Sequence, residues 1–180
     1  NIESNSVNSN KYAISAYTFQ TKHFYEVQFS GTLTENGVSR TSKSTVGVYV
    51  EPSDLVAVVA GGVDRNLPFN DTLIIDASES YDRDTQGDAG ANTNLTFSWS
   101  CVQLVPMSEA CSVTLMDQGQ GVLSVFAGAG SGETVSEITM MVKDKQDSSR
   151  SKSKTVKVTV LNAYQPVVTL DSTTVRASTN

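Results

Sequence analysis

Apolar and polar residues alternate with period two along much of the chain. The clearest stretches are Thr45-Val46-Gly47-Val48-Tyr49-Val50 and Thr155-Val156-Lys157-Val158-Thr159-Val160. Period-two alternation of β-branched and aromatic residues with Ser, Thr and Lys is the pattern of half-buried strands. No stretch longer than about ten residues keeps the helical spacing of apolar positions. The polar insert 102–110 leaves room for one helical turn at most.

The two alternating stretches form an internal repeat. Each follows a polar turn rich in Lys and Ser, at 36–44 and 144–153. Each precedes a connector that contains proline, Glu51-Pro52-Ser53 in the first case and 162–166 in the second. Each connector leads into a further apolar run, Leu55-Val56-Ala57-Val58-Val59 and Val167-Val168-Thr169-Leu170. The offset of about 110 residues is one immunoglobulin-like sandwich. The repeat therefore sets the expected boundaries. Residues 1–52 are the C-terminal strands of one sandwich, 54–162 a complete sandwich, and 163–180 the first strand of a third. A closing hairpin or an opening strand cannot bury its apolar face alone, so the chain reads as a piece of a longer protein.

Within 54–162 seven strands are expected, near 55–60, 71–77, 94–101, 111–116, 121–127, 133–142 and 153–161. Glycine clusters at 61–62, 87–90, 119–121 and 128–132 mark turns between them. Seven short strands at this spacing are a sandwich pattern. Trp99, the single tryptophan, falls mid-strand and is expected between the sheets.

Composition narrows the function. The chain has 180 residues, 38% of them hydrophobic and 18% charged; typical charged content is about 25%. Ser and Thr make up the difference, which suits sheets solvated on one face. A net charge of −6 argues against nucleic acid, which needs clustered Lys and Arg, and against electrostatic attachment to an acidic membrane. No apolar run approaches the ~20 residues of a membrane span, and residues 1–10 lack the features of a signal peptide. The even count and short spacing of Cys101 and Cys111 fit a local disulfide.

One segment is more specific. Leu73-Ile74-Ile75-Asp76-Ala77-Ser78-Glu79-Ser80-Tyr81-Asp82-Arg83-Asp84 is followed by Leu95-Thr96-Phe97-Ser98-Trp99-Ser100-Cys101 and later by Cys111-Ser112-Val113. This resembles the REJ (receptor for egg jelly) module of polycystin-1-like proteins, built from PKD-type sandwiches, with its pattern LDASxSYDPD, then LxYxWSC, a second Cys and a long hairpin. Arg83 stands where that family usually has Pro, and Glu79 where it has Gly. The generic PKD pattern WDFGDG is absent. The resemblance covers about 54–162, and the flanks fit neighbouring units. It implies tandem PKD/REJ-type sandwiches, one complete with partial neighbours at both ends. Independently, Asp76, Ser78 and Ser80 follow an apolar strand, where their side chains can bond backbone amides two or three residues on and close a corner.

The remaining candidates divide between sites and surface. A Cys101–Cys111 bridge would pin the 102–110 loop to the end of its strand. Its spacing does not suit a CxxC redox or zinc pair. Asn70-Asp71-Thr72 and Asn94-Leu95-Thr96 are N-glycosylation sequons, so Asn70 and Asn94 are candidate glycan carriers at strand edges. Asp82, Asp84 and Asp88 are weak Ca²⁺ candidates; Thr93 stands where an EF-hand counted from Asp82 would need Glu. Otherwise no metal or cofactor is expected. Lys143, Lys145, Arg150, Lys152 and Lys154 crowd one hairpin, offset by Asp144 and Asp147, and read as a charged tip that resists aggregation. His23 has no second element of a catalytic arrangement. The Tyr25 ring is expected to pack at a sheet corner.

Three functions compete. The first is an extracellular structural and adhesive segment of a polycystin-1-like membrane-anchored receptor, contacting other extracellular protein chains or glycans. The resemblance further implies a plasma or ciliary membrane and partnership with a polycystin-type channel subunit. The second is a carbohydrate-binding accessory module of a secreted enzyme, which requires a flat row of exposed aromatics; Phe69, Tyr81, Phe97, Trp99 and Phe126 mostly sit at core positions. The third, hydrolysis by Glu79 and Asp82, lacks a cleft. No enzymatic activity is expected.

Overall fold

The computed structural model describes residues 2, 4–8, 10–85 and 94–162. The chain folds as two compact units: Asn1–Asp54 with Asp82–Gly87, and Leu55–Tyr81 with Asp88–Asn180.

The first unit is built on one long hairpin. β1 (His23–Glu35) and β2 (Val38–Val50) pair antiparallel without a break, from His23↔Val50 to Glu35↔Val38. Asn36 and Gly37 make the turn, both at positive φ, 52° and 77°. Two central residues of that hand match the twist of the strands they join, and Asn-Gly supplies them at least steric cost. The polar turn expected over 36–44 is therefore two residues long; Ser39, Arg40 and Thr41 belong to the ladder. Polar side chains pair across one face, with Thr32 and Thr41 hydroxyls 2.9 Å apart and those of Thr34 and Ser39 2.8 Å apart. The opposite face carries Tyr25, Val27, Phe29, Leu33, Val38, Val46, Val48 and Val50.

The second unit is a β-sandwich. Its first short strand is β3 (Leu55–Val56), and a second, β6 (Tyr81–Asp82), pairs with it. β4 (Asp64–Pro68), β11 (Ser151–Leu161), β10 (Val135–Asp144) and β7 (Leu95–Val105) form one sheet in the order β4-β11-β10-β7. β5 (Thr72–Asp76), β9 (Val122–Phe126) and β8 (Thr114–Gly119) form the other, in the order β5-β9-β8. Within these two sheets adjacent strands are antiparallel, except that β4 runs parallel to β11. Alternation decides the core. Ile138 of β10 and Val156, Val158 and Val160 of β11 turn inward and meet Ile75, Leu123 and Val125 from the facing sheet, while Met140 and Val142 of β10 pack with Leu55, Ala77 and Leu95 in a second cluster. Each such side chain contributes roughly 1.5–3 kcal/mol when removed from water.

Within the sandwich five expectations change, and one is β6, since no strand is expected at Tyr81–Asp82. The strand expected over 55–60 pairs only at Leu55 and Val56; beyond them the backbone of Val58 bonds to the Ser80 hydroxyl instead of a strand. β4 is absent from the expected strands, because Asp64-Arg65-Asn66-Leu67-Pro68 carries one apolar residue and a proline. An edge position tolerates both. Residues 102–110 hold no helical turn, since β7 continues to Val105. The strand expected over 111–116 begins at Thr114. The strand expected over 163–180 lies outside the described residues.

The internal repeat is also a repeat of register. Val46 pairs with Val27, and Val156, about 110 positions on, pairs with Ile138. Phe29 opposite Ser44 corresponds to Met140 opposite Lys154. The apolar face of the β1–β2 hairpin thus matches, position for position, the face that β10 and β11 bury. In the first unit it is open: Phe29 is 60% and Val46 58% exposed, whereas Met140 and Val156 are 0% exposed.

Candidate functional site

Cys101 lies in β7, paired with Ile138 of β10. Its disulfide to Cys111 brings the two Cα atoms to 6.0 Å. Between them the chain folds back on itself: the Gln103 amide donates to the Ser108 carbonyl at 3.0 Å, and the Ser108 amide to the Gln103 carbonyl at 3.1 Å. The Val105–Pro106 peptide is cis. Gln103 is buried and serves as the scaffold of this loop. Its Nε2 donates to the Pro106 carbonyl at 2.9 Å, and its Oε1 accepts from the Ser112 amide at 3.0 Å. Ser112 continues inward, donating to Thr134 Oγ1 at 3.2 Å; Thr134 donates to the Ser131 carbonyl and Ser131 to the Gly128 carbonyl, each at 2.6 Å.

Gln103 and Ser112 are thus paired on the inner side of the loop, while apolar side chains face water. Val102, Leu104, Val105 and Met107 are exposed, Met107 at 89%. In the sequence this segment reads as a polar insert. The signal against that reading is its four large apolar residues and proline between two cysteines. Chemically the arrangement offers a preorganised contact surface.

Trp99 packs against both halves of the core, and its Nε1 is buried without a protein partner among the described residues. At the corner after β5, the Asp76 carboxylate accepts the Ser78 amide at 2.8 Å, as the spacing implies. Ser80 does something different. Buried, it accepts from the Val58 amide at 3.0 Å and donates to the Val58 carbonyl at 3.2 Å, standing in for a strand partner 22 residues away. The most sequence-specific segment of the chain thus performs structural work in the sandwich.

A polar cavity of about 430 Å³ opens at the end of the sandwich where β5, β8 and β10 finish; Ser78, Thr96, Phe97, Asp117, Gln120 and Lys145 line it. Gly121, at positive φ, borders it because a Cβ there would stand 2.9 Å from the Phe97 ring. The lining comes from separate segments of the chain and has no linear signature.

The acidic candidates have backbone partners. Asp82 Oδ1 accepts the Asp84 amide at 3.0 Å, and both Asp84 carboxylate oxygens accept the Ser53 amide, at 3.1 and 2.9 Å. Asp88 lies outside the described residues. Among the described residues no group of three or more His, Cys, Asp or Glu is arranged to hold a metal. In the β10–β11 hairpin, Arg150 is drawn away from the surface cluster into an ion pair with Asp144 at 2.8 Å, leaving Lys143, Lys145, Lys152 and Lys154 exposed. His23 is exposed, with Nδ1 2.8 Å from the Thr21 carbonyl. Tyr25 stacks on Phe19 at 4.3 Å and accepts the Gln20 amide on its hydroxyl at 2.8 Å. Asn70 and Asn94 are both exposed, each in a turn before an edge strand, β5 and β7 respectively. Of the five aromatics a sugar-stacking row would need, only Phe69 is exposed.

A β-sandwich with one bridged loop accords with the REJ resemblance, and the REJ domain model matches residues 1–180. The chain belongs to the REJ domain family. Two solved structures are similar to this REJ chain. One is a nucleoside hydrolase-related hypothetical protein from Saccharophagus degradans that is associated with carbohydrate metabolism. It has 20% identity and a TM-score of 0.45, over 63% of this chain and 26% of that one. This chain thus spans about a quarter of that protein. The other is the PKD domain from the KIAA 1837 protein, with 18% identity and a TM-score of 0.39, over 62% of this chain and 92% of that domain.

Proposed function

We propose that this REJ chain is an extracellular structural and adhesive segment of a large, polycystin-1-like membrane-anchored receptor, without catalytic activity of its own. The observation that carries the reading is the Cys101–Cys111 bridge in a chain of the REJ family. Disulfides persist where the environment is oxidising and are rare in the cytosol. The exposed apolar loop closed by that bridge supplies a contact surface for another extracellular chain, and a polycystin-type channel subunit at the plasma or ciliary membrane is the partner in this reading. Residues 1–52 act as the closing hairpin of one sandwich, 54–162 as a whole one and 163–180 as the opening strand of the next. The shared register of the two hairpins supports that division.

The test is made on the parent receptor, with an epitope tag inserted in the 145–150 turn. Intact cells are labelled with antibody, and thiols are alkylated before and after reduction. The reading expects surface labelling without permeabilisation, and alkylation of Cys101 and Cys111 only after reduction. A tag reached only in permeabilised cells, with both thiols already free, would sink it.

A further inference from the structure

The sequon at Asn70 lies in a turn whose backbone is held on both sides. The Asp71 amide donates to the Pro68 carbonyl at 3.2 Å, the Asn70 amide to the Ala127 carbonyl at 2.7 Å, and the Ala127 amide to the Asp71 carbonyl at 3.1 Å. Asn70 itself adopts φ 61°, a conformation asparagine tolerates better than most residues. Its side chain is exposed and makes no hydrogen bond to protein among the described residues, so a substituent on Nδ2 displaces no existing bond. The residue before it, Phe69, is 37% exposed. The third sequon residue, Thr72, opens β5, an edge strand of its sheet, on which Ile74 is 51% exposed. An aromatic ring beside a carbohydrate attachment point offers its π-face to the C–H face of a sugar. An open edge with an exposed apolar residue is a place natural sheets protect.

We propose that Asn70 carries an N-linked glycan whose first sugar packs on Phe69 and covers the start of the β5 edge, and that Asn94, at the start of β7, carries a second. This rests on the extracellular reading, because the transfer occurs in the secretory pathway. The donor is an oligosaccharide linked to a polyprenyl pyrophosphate, and an oligosaccharyltransferase moves it. The bond between sugar C1 and the pyrophosphate oxygen breaks, a bond from C1 to the asparagine Nδ2 forms, and the amide releases one proton. The polyprenyl pyrophosphate leaves with the electron pair, and nothing is oxidised or reduced. The two glycans stand in the turns before one edge strand of each sheet and leave the β8 edge and the disulfide-closed loop uncovered.

The full 180-residue chain, sent through the secretory pathway of animal cells, is digested with peptide-N-glycosidase in heavy-oxygen water and mapped by mass spectrometry. Both asparagines are expected to appear as labelled aspartate. Trimming the glycans with an endoglycosidase that leaves the first sugar should not change Tm, whereas Asn70→Gln should lower it. Phe69→Ala should abolish that difference between glycosylated and Asn70→Gln chains, and Phe69→Tyr should preserve it. A bridged Cys101–Cys111 with Asn70 unmodified overturns the proposal and leaves the extracellular reading standing. Free thiols with bare asparagines overturn both. A Tm difference that survives Phe69→Ala removes the stacking contact, and an unmodified Asn94 removes the second site.

Discussion

Gln103 and the disulfide hold the same segment, so their contributions to stability must be coupled. Replacing Gln103 by Ala removes two side-chain hydrogen bonds, at 2.9 and 3.0 Å, and strands the Pro106 carbonyl and the Ser112 amide. Each such bond contributes about 1 kcal/mol net, and because Pro106 is exposed and Ser112 half-buried, water reaches the stranded groups in part, so Gln103→Ala should cost about 1–3 kcal/mol. The bridge spans a sequence separation of 10. The chain-entropy relation for a closed loop of about eleven residues gives about 2.8 kcal/mol for its loss in Cys101→Ala/Cys111→Ala. Once the bridge is gone the loop can open locally, and the bonds of Gln103 no longer resist unfolding in full. The triple variant should therefore lose about 1–3 kcal/mol less than the sum of the two changes. Urea unfolding followed by fluorescence of Trp99, the single tryptophan and packed against the core near Cys101, measures all four corners of the cycle. Additivity within about 0.5 kcal/mol would refute the coupling. A Gln103→Ala cost below that would refute the scaffold role itself.

Other outcomes follow from the same physics. Ser80→Ala leaves both backbone groups of Val58 without their partner and should cost about 1–3 kcal/mol by the same fluorescence assay; a neutral result would mean that water replaces the hydroxyl. Met140→Ala should cost about 2–5 kcal/mol, while Phe29→Ala, its register equivalent on the open face, should shift the sandwich transition by less than about 0.5 kcal/mol. Equal effects would show that the first hairpin is covered in this chain. Gly37→Ala places a Cβ at positive φ in the β1–β2 turn and should weaken the hairpin by about 1–2 kcal/mol. Faster amide exchange at Leu33 and Arg40, the hydrogen-bonded pair next after Glu35 and Val38, would report it, and unchanged exchange would contradict the turn geometry.

Much of the architecture is legible along the chain, because alternation carries it. Val156, Val158 and Val160 announce a strand with one buried face, and they are buried. The same pattern at Val46, Val48 and Val50 announces a strand there too, and Val46 pairs with Val27 as Val156 pairs with Ile138. Legibility ends where pairing comes from elsewhere in the chain. β4 has almost no alternation of its own and exists because β11 offers it an edge. Residues 57–60 look like strand, yet at Val58 the Ser80 hydroxyl takes the place of a ladder partner. The apolar residues at 102–107 resemble a loop insert, because nothing in linear order reveals that Gln103 turns inward and Met107 outward.

Local pattern is enough for the all-β class, the REJ family, the repeat of about 110 residues, the cysteines that bridge and the positions of both sequons. Each of these is written in neighbouring residues, or in pairs close along the chain. Folding in three dimensions adds which faces are covered, which polar side chains become scaffolds and where a surface stays open. Burial depends on what the rest of the chain brings to each strand. Val46 and Val156 therefore share a pattern and a register, while one faces solvent and the other lies in the core.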